Sequence, residues 1–256
     1  MRGLLAFVRK ELLEQVRTYR LIVLLVSFLL VGLVSPLLAK VTPDLVGMIA
    51  EDELGGMELI VTRSPNVSDA LLQYHGNYSL LPLLVILLSF GTVSGEKSRK
   101  TAPMVLVKPV SRRAFLLAKA AVPAALILGG TLLSAAGCLL YTTVLFGEIH
   151  LAGYLMVNGM MLSSLLCYLS LTLMGSVLTR SLPAAAGVGL GGYVVFAVIG
   201  ALPFLGKYTP AGLSGLAGQI ILGREVSGIA WSLLATACFT LVFLVIADRA
   251  LARQEL

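Results

Sequence analysis

The sequence predicts an all-α integral membrane protein with six transmembrane helices, preceded by an amphipathic helix at the membrane surface. The first observation is composition: 58% of the 256 residues are hydrophobic and only 12% are charged, whereas soluble domains average about 45–50% apolar and about 25% charged residues. The second is that the apolar residues form blocks long enough to cross a hydrocarbon core, which takes roughly 20 helical residues. The third is an unequal distribution of lysine and arginine between the segments predicted on the two sides of the membrane.

Residues 1–20 form the predicted interface helix. Their apolar residues recur at spacings of three and four, which places them on one helical face. These residues are Leu5, Val8, Leu12, Val16 and Tyr19. Most charged residues lie off that face, and a basic amphipathic helix ahead of a span lies along the membrane interface rather than across it.

Residues 21–256 form the predicted six-helix transmembrane domain. The predicted spans are Leu21–Ala39, Tyr78–Val93 (or a longer span from near Ala70), Ala120–Phe146, Leu151–Thr179, Pro183–Leu205 and Ile229–Ala247. None of these six segments contains Asp, Glu, Lys, Arg or His. Glycines within spans let helices approach closely, and Gly187 and Gly191 form a small-x-x-x-small packing pattern.

Lysine and arginine predict the orientation. The side that holds both chain ends and the loop between spans two and three carries 15 basic residues, and the other side carries 4. Acidic residues run the opposite way, with 5 and 8. Because basic loops stay in the cytoplasm, we predict a multi-pass protein of the cell (inner) membrane with both termini cytoplasmic.

Two segments fall on the non-cytoplasmic side. Residues 40–77 are acidic and polar and contain the turn signals Gly55-Gly56 and Ser64-Pro65; they are predicted to form an external loop with a short helix or hairpin. Residues 206–228 are apolar, rich in glycine and poor in charge. This second segment is either a pair of re-entrant half-helices buried against protein or an ordinary surface loop.

The sequence offers no catalytic, cofactor or metal site. An intramembrane enzyme needs paired aspartates, a Ser/His pair or H-E-x-x-H at membrane depth, and the sequence has none of these arrangements. His75 and His150 lie on the non-cytoplasmic side, but their spacing enforces no metal site. The net charge of +6 follows the side bias rather than a nucleic-acid surface, so no nucleic-acid partner is predicted.

The sequence also shows no means of powering transport. Ion-coupled transporters keep ionisable residues at membrane depth, and the predicted spans are uncharged. No P-loop is present. If the protein moves a molecule uphill, we expect the energy to come from a partner.

A basic loop, residues 94–119, connects the second and third predicted spans. In it, Thr101 follows Glu96 by five residues, Pro109 follows Thr101 by eight, and Lys119 follows Pro109 by ten. By itself such a loop reflects either the positive-inside rule or the docking of a cytosolic partner.

The spacing of these residues resembles that in ABC-2 type ABC transporter permeases. The corresponding loop of that family tends to read E-x-E-x-G-T, about seven further residues, P-[VIL]-S-R and then a lysine. Ser98 and Lys100 depart from the pattern, because they stand where the second acid and the glycine are usual. Ser111 matches the motif serine and suits the N-cap of a helix that runs into span three.

The resemblance implies an ABC-2 (type V exporter-like) permease fold. Residues 97–108 would form a cytoplasmic coupling helix that docks on a separate ATPase, and re-entrant helices would lie between spans five and six. The implied ATPase-coupling residues are Glu96, Lys97, Lys100, Thr101, Pro109, Ser111, Arg112 and Lys119. The residues that resemble the family's amphipathic helix are Arg9, Lys10, Glu11 and Arg17.

The resemblance also implies the function. The chain would be the permease subunit of an ABC transporter, exporting a substrate with ATP and magnesium bound in two copies of an ABC ATPase. Its other partners would be a second permease copy or a paralogue, and the lipid bilayer. The alternatives are a maturation or mechanical ABC complex of the nitrous-oxide reductase accessory type, without simple cargo export, and a non-transporting membrane scaffold or sensor.

Overall fold

The computed structural model describes residues 2–53, 64–98, 112–202 and 204–254, with the backbone alone for 2–6 and 45–53. Within these ranges the chain forms ten α-helices, one 3-10 turn at Gly206–Tyr208 and no strand. The helices are α1 (Arg2–Arg17), α2 (Arg20–Glu53), α3 (Val67–Tyr78), α4 (Leu81–Ser89), α5 (Gly91–Ser98), α6 (Arg112–Phe146), α7 (Leu151–Leu178), α8 (Leu182–Gly200), α9 (Pro210–Ile221) and α10 (Ile229–Arg253).

Six helical segments are long and apolar enough to cross a membrane. They are Arg20–Asp44 within α2, Val67–Ser98 comprising α3 to α5, and the whole of α6, α7, α8 and α10. The second segment is broken near Ser79 because Pro82, in the first turn of α4, has no N–H to donate. The predicted all-α fold with six transmembrane helices is confirmed.

The predicted external loop, residues 40–77, was drawn too long, because the candidate spans include residues 40–44 and 67–77. Helix α2 continues to Glu53, and α3 begins at Val67. Its start is fixed by a capping box: Asn66 Oδ1 accepts the Asp69 N–H at 3.1 Å, and Asp69 Oδ2 accepts the Asn66 N–H at 2.8 Å. The polar residues near the end of α2 and the start of α3 led to the prediction that the helices stop earlier than they do.

The prediction that the spans hold no charged residue was wrong for the helices as they stand. The second crossing contains Asp69, His75, Glu96 and Lys97, and α6 contains Arg112, Arg113 and Lys119. Lys119 is only 1% exposed. These groups lie in turns beyond the apolar blocks, where the helices continue without a break.

Helix α7 is the centre of the bundle. In the most apolar 18-residue stretch of α7, 72% of the residues are buried. The corresponding fraction for α10, at the periphery, is 11%. The largest core cluster joins α7 to the second crossing through aromatic and aliphatic side chains, among them Tyr74, Tyr78 and Leu165. Outward residues of α2, α8 and α10 are apolar and exposed, as expected of helices that meet lipid.

The segment 206–228 is not an ordinary surface loop. Its helix α9 packs against α7 and α3, and Leu213 and Ala217 are fully buried. The chain turns tightly before α9, where a Cβ atom at Gly212 would collide with the Gly206 carbonyl oxygen. Insertion of this segment into the membrane from the outside stays a prediction.

Several helix ends meet at one end of the bundle, which we call the basic end. Among them are α1, the last turn of α5, the first turn of α6, and the last turns of α7 and α10. Contacts such as that between Phe7 and Phe115, with ring centroids 5.9 Å apart, hold them together. Both ends of the described chain therefore lie on the same side.

Candidate functional site

The basic end contains a cluster of five charged side chains from α1, α5 and α6, which we call the ionic cluster. It comprises Lys10, Glu11, Glu14, Glu96 and Lys119. Lys119 Nζ lies 3.1 Å from Glu11 Oε1 and 3.0 Å from Glu96 Oε1. Lys10 Nζ lies 2.8 Å from the same Glu96 oxygen and 3.1 Å from Glu11 Oε1. Two lysines thus share two carboxylates from separate elements.

The cluster is set up by the buried face of α1. Phe7, Glu11 and Gln15 recur every four residues, and all three are buried. Phe7 packs edge-to-face on Phe115, whose ring lies 5.2 Å from Lys119 Nζ. This contact combines aromatic packing with a cation–π interaction and brings Glu11 to Lys119.

Three residues of the predicted apolar stripe face away from the chain, whereas Val8 packs on the core beside Phe7. Leu12, Val16 and Tyr19 are 41%, 48% and 69% exposed. Arg9 and Arg17 are also exposed and form no ion pair with a described residue. An apolar stripe left open beside basic residues suits a helix that lies on a membrane surface.

Because three of the charged side chains in the cluster are largely buried, each of these three depends on the others in the cluster for a counter-charge. The Lys119 side chain is 1% exposed, that of Glu11 3% and that of Glu96 12%. Removing one buried partner leaves an uncompensated charge, which costs more than the pair contributes when intact. For Lys10, burial alone would lower the pKa, but the hydrogen bond and charge of Glu96, together with Glu11, raise the pKa above its ordinary value.

Three carboxylates of the cluster approach one another closely enough to suggest a cation site. Oxygens of Glu11, Glu14 and Glu96 lie within 4.8 Å of one another. However, the ammonium groups of Lys10 and Lys119 already contact these carboxylates. The donor set therefore fits ion pairing within the protein rather than metal binding.

Two further predicted coupling residues bind the carboxyl ends of other helices. Lys97 Nζ donates to the Val177 carbonyl oxygen at the end of α7. Arg112 Nη1 donates to the carbonyl oxygens of Leu251, Ala252 and Gln254 at 3.1, 2.8 and 2.9 Å. Cations are favourable at helix carboxyl ends, where the carbonyl groups lack partners and the dipole is negative.

The remaining predicted coupling residues lie outside the described part of the chain. They are Lys100, Thr101, Pro109 and Ser111. Helix α6 begins at Arg112, directly after the predicted N-cap serine. The structure thus brings together Glu96, Lys119, Lys10 and Glu11, and it places Lys97 and Arg112 on two neighbouring helix ends.

The sequence did not indicate which residues would pair in the cluster. Glu11 and Lys119 are 108 positions apart, and each was predicted only as a member of a separate set. Glu14 and Phe115 were not predicted as residues of the site. A signal was present in the period-four spacing of Phe7, Glu11 and Gln15, since a charged residue within an otherwise inward-facing series points to a buried partner.

The geometry suits mechanical coupling of helices. The cluster contains carboxylates and ammonium groups that satisfy one another, with no nucleophile and base positioned beside it among the described residues. It links α1 to both helices that flank residues 99–111. A displacement of that segment would therefore move three helices together.

Comparison with known proteins gives two matches. The model of a family described as ABC-2 family transporter protein matches residues 5–209. The uncharacterized transmembrane protein YxlG of Bacillus subtilis (strain 168) is 26% identical over 243 residues, which cover 91% of each chain. The matched region of the family model includes every residue of the ionic cluster.

Proposed function

Because the chain belongs to the ABC-2 family of transporter proteins and is a transmembrane component of an ABC transporter, we propose that it is an export permease driven by ATP hydrolysis in a separate ATPase subunit. One observation carries the proposal: Glu96 and Lys119, which flank residues 99–111, are held together and to α1 by buried ion pairs. A force applied to the loop would reach the bundle through these contacts.

The proposed mechanism begins at residues 99–111. ATP-driven closure of the partner displaces this loop, and Glu96 and Lys119 transmit the displacement to α5 and α6. Glu11 and Lys10 carry α1 along, while Lys97 and Arg112 engage the ends of α7 and α10. Movement of packed helices as rigid units is a common route of conformational switching.

The distribution of charge supports an external source of energy. The segments 21–39, 120–146, 151–179, 183–205 and 229–247 contain no Asp, Glu, Lys, Arg or His. The ionic cluster is confined to the basic end, so it does not extend as a relay across the bundle. Coupling to an ion gradient would require such groups along the path.

We propose two ATPase copies bound to a dimer of permease subunits, formed with a second copy or a paralogue. The basic end would face the cytoplasm, with both termini on that side, because 15 of the 19 basic residues are assigned there. ATP and magnesium would be bound by the ATPase. The membrane would be the cell (inner) membrane.

Co-purification with the candidate ATPase tests the docking step. Lys100→Glu combined with Lys108→Glu reverses two charges within residues 99–111. We expect it to reduce ATPase recovery at least tenfold without changing the amount of permease in the membrane. Arg249→Glu is the matched control, since Arg249 is exposed on α10 and outside the loop. Equal ATPase recovery in the loop variant and the wild type would contradict the proposal.

A second measurement tests coupling itself. The ATPase is assayed with the wild-type permease in proteoliposomes and with Lys119→Met. If the ionic cluster transmits force, the variant should still bind the ATPase but alter the ATP hydrolysis that the permease stimulates. If the permease-stimulated ATP hydrolysis is the same with Lys119→Met as with the wild type, the assignment of force transmission to the ionic cluster is wrong.

A further inference from the structure

A cavity of about 360 Å³ lies among α3, α4, α7, α8 and α9, remote from the ionic cluster. Its wall includes the junction between α3 and α4, the middle of α7 and the second half of α8. The lining side chains that matter here are His75, Tyr78, Met161, Tyr168, Tyr193 and Ser214. The cavity is open on one side, so a molecule can enter it without unfolding the bundle.

The wall of this cavity is aromatic and uncharged. No Asp, Glu, Lys or Arg lines it among the described residues. The rings of Tyr168 and Tyr193 lie 5.3 Å apart with an interplanar angle of 56°. An ionic molecule would lose its hydration without gaining a counter-charge, whereas an aromatic ring would find ring faces and edges to pack on.

Most hydroxyl groups at the cavity have partners within the protein. Tyr78 Oη lies 2.8 Å from Thr131 Oγ1. Ser164 Oγ donates to the Pro210 carbonyl oxygen at 2.9 Å, and Ser214 Oγ lies 3.0 Å from His75 Nε2. These bonds hold the wall in place.

The hydroxyl groups of Tyr168 and Tyr193 are the exceptions, since neither forms a hydrogen bond with a described residue. Tyr168 is the more buried of the two, at only 2% exposed. Within a membrane-spanning bundle an unpartnered polar group is unfavourable, because hydrocarbon supplies no replacement partner. A hydroxyl that reaches such a cavity without a partner favours an occupant with a polar atom of its own.

We propose that this cavity binds a small, uncharged aromatic molecule that carries a hydrogen-bond acceptor or donor for Tyr168. The proposal rests on the proposed function and gives the chemical class of the exported cargo. Binding cavities usually measure about 300–1,000 Å³, so this one admits one small molecule rather than a large lipid-linked one. A lipid acyl chain would fill the space but leave the hydroxyl unpartnered.

Photolabelling of the purified full chain in nanodiscs tests the proposal. The probe is benzophenone, a neutral diaryl ketone that inserts into nearby C–H bonds on illumination and so reports Met161 in the wall. We expect saturable labelling of the peptide that contains Met161. Two probes with the same rings and a charge, 4-benzoylbenzoate and (4-benzoylbenzyl)trimethylammonium, should label that peptide at least tenfold less at equal concentration.

Matched variants locate the binding. Ala197→Phe adds a ring at a lining position, and we expect it to weaken labelling at least tenfold. Val198→Phe adds the same ring at the next residue, which is 61% exposed and does not line the cavity; it should leave labelling unchanged. Tyr168→Phe should weaken labelling about tenfold, as the loss of one buried hydrogen bond predicts. Thermal unfolding midpoints confirm that each variant is folded.

Labelling that does not saturate, or that persists in Ala197→Phe, would show a space filled by lipid or water only and would overturn the proposal. Equal labelling by the charged probes would also overturn it. The assay contains no ATPase and no nucleotide. A failure of cavity binding is therefore distinguishable from a failure of ATPase docking, which the loop variant measures separately.

Discussion

Lys119 Nζ lies 3.0 Å from Glu96 Oε1, and this ion pair joins the two helices that flank residues 99–111. The same ammonium group reaches Glu11 of α1 at 3.1 Å. A lysine that is 1% exposed thus connects three helices at the basic end. Together with the bonds from Lys97 to the end of α7 and from Arg112 to the end of α10, this contact attaches both flanks of the loop to the bundle.

The first prediction concerns the removal of this lysine. Lys119→Met keeps the length of the side chain but leaves the buried carboxylates of Glu11 and Glu96 with Lys10 alone. We expect a loss of about 3–5 kcal/mol in the free energy of unfolding, the usual cost of breaking a buried ion pair from one side. Thermal unfolding of the purified protein in detergent measures it.

The exposed ion pair of Arg113 and Asp248 provides the control. Arg113 Nε lies 3.4 Å from Asp248 Oδ2, and the Arg113 side chain is 81% exposed. Arg113→Met should therefore cost about 1 kcal/mol or less. If Lys119→Met and Arg113→Met lower the unfolding midpoint equally, the cluster does not stabilise the basic end as described.

The second prediction concerns Arg112, whose guanidinium group donates to three carbonyl oxygens at the end of α10. Arg112→Ala leaves these carbonyls without their cation, and hydrogen bonds from charged groups contribute about 1.5–3 kcal/mol. We expect faster amide hydrogen exchange at residues 250–254, by about tenfold or more. Arg249→Ala, on the exposed face of the same helix, should leave the exchange unchanged.

The role of Arg112 also affects how ATPase docking should be tested. A variant such as Arg112→Glu would disturb the end of α10 within the chain, so a loss of ATPase binding would have two explanations. Lys100 and Lys108 lie within residues 99–111 and avoid this contact. If Arg112→Ala leaves the amide exchange rate at residues 250–254 at the wild-type value, Arg112 does not stabilise the end of α10. Arg112→Glu could then be used to test ATPase docking as well.

The transmembrane architecture was largely predictable because lipid imposes a simple constraint. A helix must be apolar for about 20 residues to cross the bilayer. Five predicted blocks satisfied this condition, and the sixth, Tyr78–Val93, did so only when extended to near Ala70. The ends of the helices were less predictable. Helix α3 begins at Val67 because Asn66 and Asp69 cap it, and such local hydrogen bonds outweigh a polar composition.

The candidate site was predictable as a set of residues but not as a set of contacts. Glu96 and Lys119 follow from the loop pattern, and Lys10 and Glu11 from the N-terminal helix. Their pairing depends on how α1 docks, which the contact of Phe7 with Phe115 decides. Which of several residues 80 or more positions away pairs with a given charged residue depends on tertiary packing, and the local periodicity of the sequence does not show it.

The third prediction compares two glycines within transmembrane helices. A Cβ atom at Gly32 would collide with the backbone of Ser134, whereas one at Gly187 meets nothing within 4 Å in the described chain. Gly32→Ala should separate α2 from α6 and lower the unfolding midpoint by several degrees. Gly187→Ala should leave it unchanged or raise it, because alanine favours the helix.

The comparison also tests the predicted packing pattern of Gly187 and Gly191. A Cβ atom added at either glycine would meet nothing within 4 Å in the described part of the chain. If Gly187→Ala lowers the midpoint as much as Gly32→Ala does, another molecule packs closely on that face. Size-exclusion chromatography of both variants would then show whether the loss reflects dissociation of a second copy.

The fourth prediction concerns two buried tyrosines that differ in their hydrogen bonds. The Tyr74 hydroxyl donates to Asn158 Oδ1 at 2.8 Å, whereas the Tyr168 hydroxyl forms no hydrogen bond with a described residue. Tyr74→Phe should cost about 1 kcal/mol in the free energy of unfolding, since it leaves the buried amide of Asn158 short of a donor. Tyr168→Phe should cost nothing in the ligand-free protein and is expected to stabilise it slightly, because it removes a polar atom that lacks a partner.

Both substitutions delete one oxygen from a buried tyrosine, so the difference between their unfolding midpoints isolates the hydrogen bond. A loss in Tyr168→Phe equal to that in Tyr74→Phe would mean that its hydroxyl is already satisfied, and that the cavity beside it needs no polar occupant.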